Sequence, residues 1–338
     1  MMVTIDDLPR AVLVLPGRGA YTAASLGSLP AEAPLVQRAE SLRAEMGLDS
    51  LLALDAADEF EPAVHLRPAN ASPLIWLISL LDAQRAMADY RVVAIIGNSL
   101  GWYTALAAGE ALDFDDAFHL VQGIALDQEE AASAGGGQVI YPRVGADWMP
   151  MPELTAAIDA VLTDGGEMFP SVDLGGYLVL AGTDAAISRA LETLPPIQIG
   201  DRHFPLRLAL HGPYHSPLLS GVAKEAAERF TALDWRAPST TLIDGRGVRF
   251  TPWATDPAEL ARYTLREQLV TPYGFATGAR VALREYAPQV LVLTGPGNTL
   301  GGVTGQIVVA EGYHGIRTRA DFESAQAGES PLVLSMRR

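Results

Sequence analysis

The sequence predicts an α/β protein built on a parallel sheet and carrying a compact α+β insertion. Two apolar runs, residues 11–15 (AVLVL) and 92–96 (VVAII), have the length and uniform hydrophobicity of strands covered on both faces. Helical stretches separate and follow them, and strand alternating with helix is the pattern of a parallel sheet. A glycine-rich break at residues 133–137 (SAGGG) then interrupts that pattern.

In order along the chain, residues 11–15 end in the tight loop Pro16-Gly17-Arg18-Gly19. Residues 35–46 and 72–87 read as helices, 92–96 as the second buried strand, and 100–109 as the helix after it. Asp115 or Asp116 is the expected cap of the next helix, which runs to about residue 132. Beyond the glycine break, short strands at 138–144, 177–181 and 203–210 alternate with helices at 153–163 and 185–193. A helix at 218–233 returns to the main body, 290–293 (VLVL) is a late buried strand, and Gly295-Pro296-Gly297 turns after it. From about residue 320 the tail carries no clear pattern.

The 338 residues suffice for a large domain with a smaller one. With no cysteine, structural disulfides and thiolate chemistry are excluded. The net charge of −16 argues against nucleic acid and anionic membranes as partners. The first ten residues lack a signal-peptide pattern, and the longest apolar stretch, 74–81, is too short to span a bilayer, so a cytoplasmic location is expected. The histidines lack ligand spacing with carboxylates, and no metal site is expected.

The sharpest chemical signal is Gly97-Asn98-Ser99-Leu100-Gly101, a GxSxG between a buried strand and a helix. A serine on that sharp turn is exposed as a nucleophile, the glycines remove side chains that would clash, and the helix N-terminus favours negative charge on a reacting carbonyl oxygen. The hydroxyl needs a base. His65 and His119 stand in no motif. His215, in His211-Gly212-Pro213-Tyr214-His215-Ser216, and His314, late in the chain where an α/β-hydrolase base would lie, both remain open on spacing alone.

Several segments in register resemble malonyl-CoA:acyl-carrier-protein transacylases and the acyltransferase domains of polyketide synthases. Pro16-Gly17-Arg18-Gly19 resembles their PGQG loop and residues 97–106 their GHSLGEYSAL. Residues 113–121 (DFDDAFHLV) fit a DFxDAxxLV helix, and residues 214–219 resemble the segment bearing the histidine. Gln268-Leu269-Val270-Thr271-Pro272 fits QLxxP, and residues 293–300 match the late GPG turn. The resemblance spans residues 11 to about 307. It implies a hydrolase-like core (1–133 and 207–338) with a ferredoxin-like subdomain (134–206) closing over the acyl group. It implies that Ser99 takes an acyl group from an acyl-CoA substrate and passes it to an acyl carrier protein. His215 would be the base, oriented by a main-chain carbonyl at Gln268, and the N–H groups of Arg18 and Leu100 the oxyanion donors. It also implies a monomer with no resident cofactor, serving fatty acid or polyketide synthesis.

Departures from the family pattern bear on the acyl group. Ile124 stands where malonyl enzymes place a carboxylate-binding arginine, and Asp173 where they place a pocket asparagine. An unpaired buried carboxylate is costly, so a neutral acyl such as acetyl is expected, unless Arg143, Arg202 or Arg207 reaches the pocket. Asn98, Trp102 and Tyr214 also differ and are expected to shape the pocket; Trp102 is placed near its entrance. Three other readings compete: a hydrolase of the same fold releasing acyl groups to water, a non-catalytic scaffold, and a generic esterase using His314.

Overall fold

The computed structural model describes residues 5–133 and 135–337; the segment bounds at residues 1, 134 and 338 lie outside the described residues. The first half of the chain runs β1 (Arg10–Leu15), α1 (Pro34–Glu45), α2 (Leu51–Asp55), α3 (Pro62–His65), α4 (Pro68–Asp89), β2 (Arg91–Gly97), α5 (Gly101–Ala108) and α6 (Phe114–Ala132). Then come β3 (Gly137–Pro142), α7 (Pro152–Thr163), β4 (Met168–Asp173), β5 (Tyr177–Gly182), α8 (Asp184–Thr193), β6 (Ile197–Ile199), β7 (Arg202–Phe204) and β8 (Leu206–Arg207). The remainder is α9 (Ser220–Phe230), β9 (Leu242–Ile243), β10 (Arg249–Phe250), α10 (Pro257–Arg262), α11 (Gln268–Val270), β11 (Tyr273–Gly274), α12 (Phe275–Tyr286), β12 (Val290–Leu293), α13 (Gly301–Glu311), α14 (Arg319–Gln326) and β13 (Val333–Ser335).

The larger sheet has the order β10-β9-β2-β1-β12-β13, parallel except where β10 meets β9. Its central strand β1 is buried from Ala11 to Leu15, which is why those residues are apolar on both faces of the pleat. α4 is buried along most of its length, Trp76 included. The second sheet has the order β11-β4-β5-β3-β8, entered from the chain as β3-α7-β4-β5-α8 and, after the β6–β7 hairpin, β8. The fold is thus mixed α/β, with a large sheet and many helices. Among the described residues no helix is long and apolar enough to cross a membrane.

Three local expectations are corrected. The cap of α6 is Asp113, whose carboxylate accepts from the N–H of Asp116 at 2.9 Å; the two following acids lie in the first turn, where they complement the helix dipole. Residues 203–210 do not form one strand. Pro205 has no N–H to continue a ladder, so β7 pairs with β6 while β8 pairs with β3. The tail is ordered: Thr318 and Asp321 form a capping box at α14, and β13 adds a parallel edge strand to β12. Arg337 just beyond β13 grips the buried Asp82 of α4 at 2.8 and 2.9 Å, and Asp82 also accepts from the Gly295 N–H at 2.9 Å. That ion pair ties the chain's end to the turn after β12.

Candidate active site

The site is assembled where β1 and β2 end. The turn from β2 into α5 is possible only with glycine at two positions. A Cβ on Gly97 would lie 2.2 Å from the Gly101 carbonyl carbon, and one on Gly101 would lie 2.3 Å from the Leu15 oxygen. Ser99 sits at the apex with φ of 54°, left-handed backbone that a non-glycine residue adopts only under local constraint. Leu100 is the N-cap of α5, where main-chain N–H groups lack intrahelical partners. Gly17 packs the 16–19 loop against Asn98, whose carbonyl oxygen would be 2.7 Å from a Cβ there.

The base comes from 116 residues away. The Ser99 hydroxyl donates to His215 Nε2 at 2.7 Å, and His215 Nδ1–H donates to the main-chain oxygen of Gln268 at 2.6 Å. The Gln268 carbonyl therefore fixes the tautomer that leaves Nε2 free to accept a proton. His215 is 4% exposed, and burial lowers its pKa to about 4, against the opposing pull of the Gln268 carbonyl. The ring is neutral and ready to act as a base across the ordinary pH range.

Gln268 contributes more than its carbonyl. Its side-chain amide donates to the Ser99 carbonyl at 3.2 Å and accepts from the Tyr103 hydroxyl at 2.8 Å. The Tyr273 hydroxyl donates to the Gly97 carbonyl at 2.6 Å, and its ring lies 5.5 Å from that of His215. These two tyrosines brace nucleophile and base together; the sequence pattern alone gave no sign of either.

A cavity of about 20 Å³ lies over the serine. It is lined by Ser99, Leu100, Tyr103, His215 and Gln268, by Arg18 and Tyr214, and by the α6 side chains Val121, Ile124, Ala125 and Gln128. Among the expected pocket residues, Ile124 and Tyr214 line it and three do not. Trp102 is fully buried elsewhere: its indole N–H donates to Thr264 Oγ at 2.9 Å and its ring packs on Phe250 and Tyr263. It follows Ser99 by three residues and, past the sharp turn, faces the core. Asp173 is paired with Arg143 and accepts from the Gly175 N–H at 2.8 Å. Asn98 packs against the 16–19 loop.

The arginines expected as substitutes are also engaged or remote. Arg143 is held by Asp173, Arg207 by Asp184 at 2.9 Å, and Arg202 is exposed on β7. Of the remaining histidines, buried His65 donates from Nε2 to the Leu54 carbonyl and accepts at Nδ1 from the Glu61 N–H, both at 3.0 Å, and His314 is exposed in the turn after α13, edge-on to Tyr313. Among the described residues no cluster of three or more histidine or acidic side chains could hold a metal.

No family model matches the chain. It is similar to the malonyl CoA-acyl carrier protein transacylase of Haemophilus influenzae, with 27% identity over 307 residues that cover 89% of this chain and 93% of that protein. Among solved structures it is similar to the acyl-carrier-protein S-malonyltransferase of Burkholderia pseudomallei, with a TM-score of 0.71 and 24% identity over 88% of this chain and 93% of that one. It is also similar to a malonyl-transacylase solved in complex with its type II PKS acyl-carrier protein, with a TM-score of 0.72 and 21% identity over 97% and 96% of the two chains. The solved structures share the fold, and the Haemophilus influenzae relative aligns across almost the whole chain. Across almost its whole length the chain is similar to malonyl CoA-acyl carrier protein transacylases, which are enzymes.

Proposed function

We propose that this enzyme moves an acyl group from coenzyme A to the phosphopantetheine thiol of an acyl carrier protein through an ester on Ser99. The observation that carries the reading is the contact chain from Ser99 Oγ to His215 Nε2, 2.7 Å, and from His215 Nδ1 to the Gln268 oxygen, 2.6 Å. In the first half-reaction His215 takes the Ser99 proton as the oxygen attacks the thioester carbonyl. The N–H groups of Arg18 and Leu100 hold the oxyanion, the C–S bond breaks, and His215 returns the proton to the departing CoA sulfur. In the second, the carrier thiol gives its proton to His215 and attacks the ester, and Ser99 leaves with that proton. Family relatives carry out this exchange with malonyl groups, and one has been solved with its carrier protein.

The second sheet supports reading residues 134–206 as a ferredoxin-like subdomain on a hydrolase-like core. The order β4-β5-β3-β8, built from β3-α7-β4-β5-α8-β8, has the split βαβ connectivity of that fold. The reaction calls for no resident cofactor.

The wall contributed by α6 is apolar at Val121, Ile124 and Ala125, so on that side a neutral acyl group such as acetyl lies without an unpaired charge. Transfer is tested by loading the enzyme with an acyl-CoA, removing the excess and adding holo-carrier. The ester is expected to persist without carrier and to move to it on mixing; equally fast loss to water in both samples refutes the transfer reading.

A further inference from the structure

The structure assigns Arg246 as a positioning residue of the reaction: it holds the helical turn that aims the Gln268 carbonyl at His215. The assignment rests on the Ser99–His215 reading above and names a residue that acts through that site without touching substrate.

The Gln268 carbonyl is free for His215 for a reason written in the sequence. In a continuing helix it would accept from the N–H four residues on, and Pro272 has none. Its direction is set by the turn before it. Tyr263–Glu267 is a π-helical turn, and the Gln268 N–H bonds five residues back to the Tyr263 carbonyl. The extra residue rotates Gln268 by about 100° relative to an ordinary α-helix. Such turns are rare and persist only where the surroundings hold them.

Arg246 touches both ends of this turn. Its Nη1 donates to the Glu267 carboxylate at 2.5 Å, and its guanidinium lies 4.1 Å from the centre of the Tyr263 ring. Arg246 is fixed in turn by the fully buried Asp244. That carboxylate accepts from Arg246 Nε at 2.8 Å and from the main-chain N–H groups of Arg246 and Val248 at 2.8 and 2.9 Å. Asp244 directly follows β9, which pairs in parallel with β2, the strand that delivers Ser99. One side chain therefore couples the sheet that carries the nucleophile to the turn that orients the base. Arg262 also pairs with Glu267, but from α10, which runs straight into the turn and adds no tie to the sheet. Without Arg246 the turn is free to relax toward α-helical register. That relaxation swings the Gln268 carbonyl off His215 Nδ1 and its amide off the Ser99 carbonyl.

Two measurements on the full chain test the assignment. Ester formation on Ser99 is followed by intact mass with malonyl-CoA and acetyl-CoA, and the imidazole N–H protons by NMR of protein labelled at the histidine nitrogens. In Arg246→Gln the maximal acylation rate should fall by about ten- to a hundredfold with either thioester, the cost of a misplacement of about 1 Å. The half-saturating concentration should change by less than about threefold. Arg246→Lys, which keeps the charge and loses the fork, should fall between wild type and Arg246→Gln. Arg249→Gln, which alters a nearby arginine paired with Glu285 at 3.2 Å, should leave the rate unchanged. The His215 Nδ1–H line, identified by its loss in His215→Ala, should move upfield or exchange faster with water in Arg246→Gln. The lines of His65 Nε2–H and His211 Nδ1–H, whose acceptors are Leu54 and Gln138, should stay in place. A wild-type rate in Arg246→Gln overturns the assignment. So does a slowed variant whose His215 line has not moved, and so does movement of all three lines, which would make Arg246 a structural residue only. A wild type that forms no ester on Ser99 from either thioester overturns the transfer reading itself, and this assignment with it.

Discussion

Burial of His215 makes a quantitative statement about pH. The base must be neutral to accept the Ser99 proton, and with a pKa of about 4 it stays neutral far below the usual range for histidine. At pH 5.5 about 97% of the rings are neutral, whereas a histidine titrating at about 6.5 would be only about 9% neutral. The rate of Ser99 acylation, followed by quenched intact-mass measurement, should therefore be flat from about pH 8 to about pH 5. It should then fall with unit slope, reaching half its plateau near pH 4. The same shift weakens the fold in acid. The unfolded chain binds this proton first, so the contribution to stability is complete above about pH 6.5. It is lost as the pH falls to about 4, where it amounts to about 3 kcal/mol. Rates are therefore compared only where circular dichroism shows native protein. A midpoint near 6.5 in folded enzyme would refute the argument, because it would place the ring in water rather than under Tyr273 and against Gln268.

Other consequences follow from single contacts. Gln268→Ala keeps the carbonyl that orients His215 but removes the amide bonds to Ser99 and Tyr103; acylation should slow by about ten- to a hundredfold with the pH midpoint unmoved. Asp82→Ala strands Arg337 and the Gly295 N–H, and urea unfolding should show a loss of about 3–5 kcal/mol with no change in the rate constant of the remaining folded enzyme. Gly101→Ala puts a methyl 2.3 Å from the Leu15 oxygen, and the soluble yield of that variant should collapse, while Gly302→Ala, with open space around it, should express as wild type does.

The nucleophile's surroundings were legible because their causes are local. A buried strand, a glycine on each side of the serine and a helix that starts at once leave one backbone path, and the structure follows it at β2, Ser99 and α5. The partner from residue 215 was legible only through the resemblance, since no pattern within the chain separates His215 from His314. Side-chain direction was the weak point. Trp102 and Asp173 sit at positions that suggested the pocket. The helical rotation past the turn sends Trp102 into the core, and Arg143, on the neighbouring loop, draws Asp173 aside. Arg18 was expected to act through its N–H, yet its side chain lines the cavity, because the 16–19 loop lies pressed on Asn98 and aims residue 18 at Tyr214. The edge strand β13 is three residues long and was invisible because its pairing with β12 is non-local.

The claim on which the account turns is that Ser99 carries the acyl group and His215 makes it reactive. Peptide mapping after brief exposure to the thioester that loads fastest tests this directly. The acyl mass should fall on the peptide containing Ser99 in wild type, vanish in Ser99→Ala, and form at least about a thousandfold more slowly in His215→Ala, with His314→Ala unaffected. An acyl group found on another residue, or one that forms at the wild-type rate without His215, would contradict it.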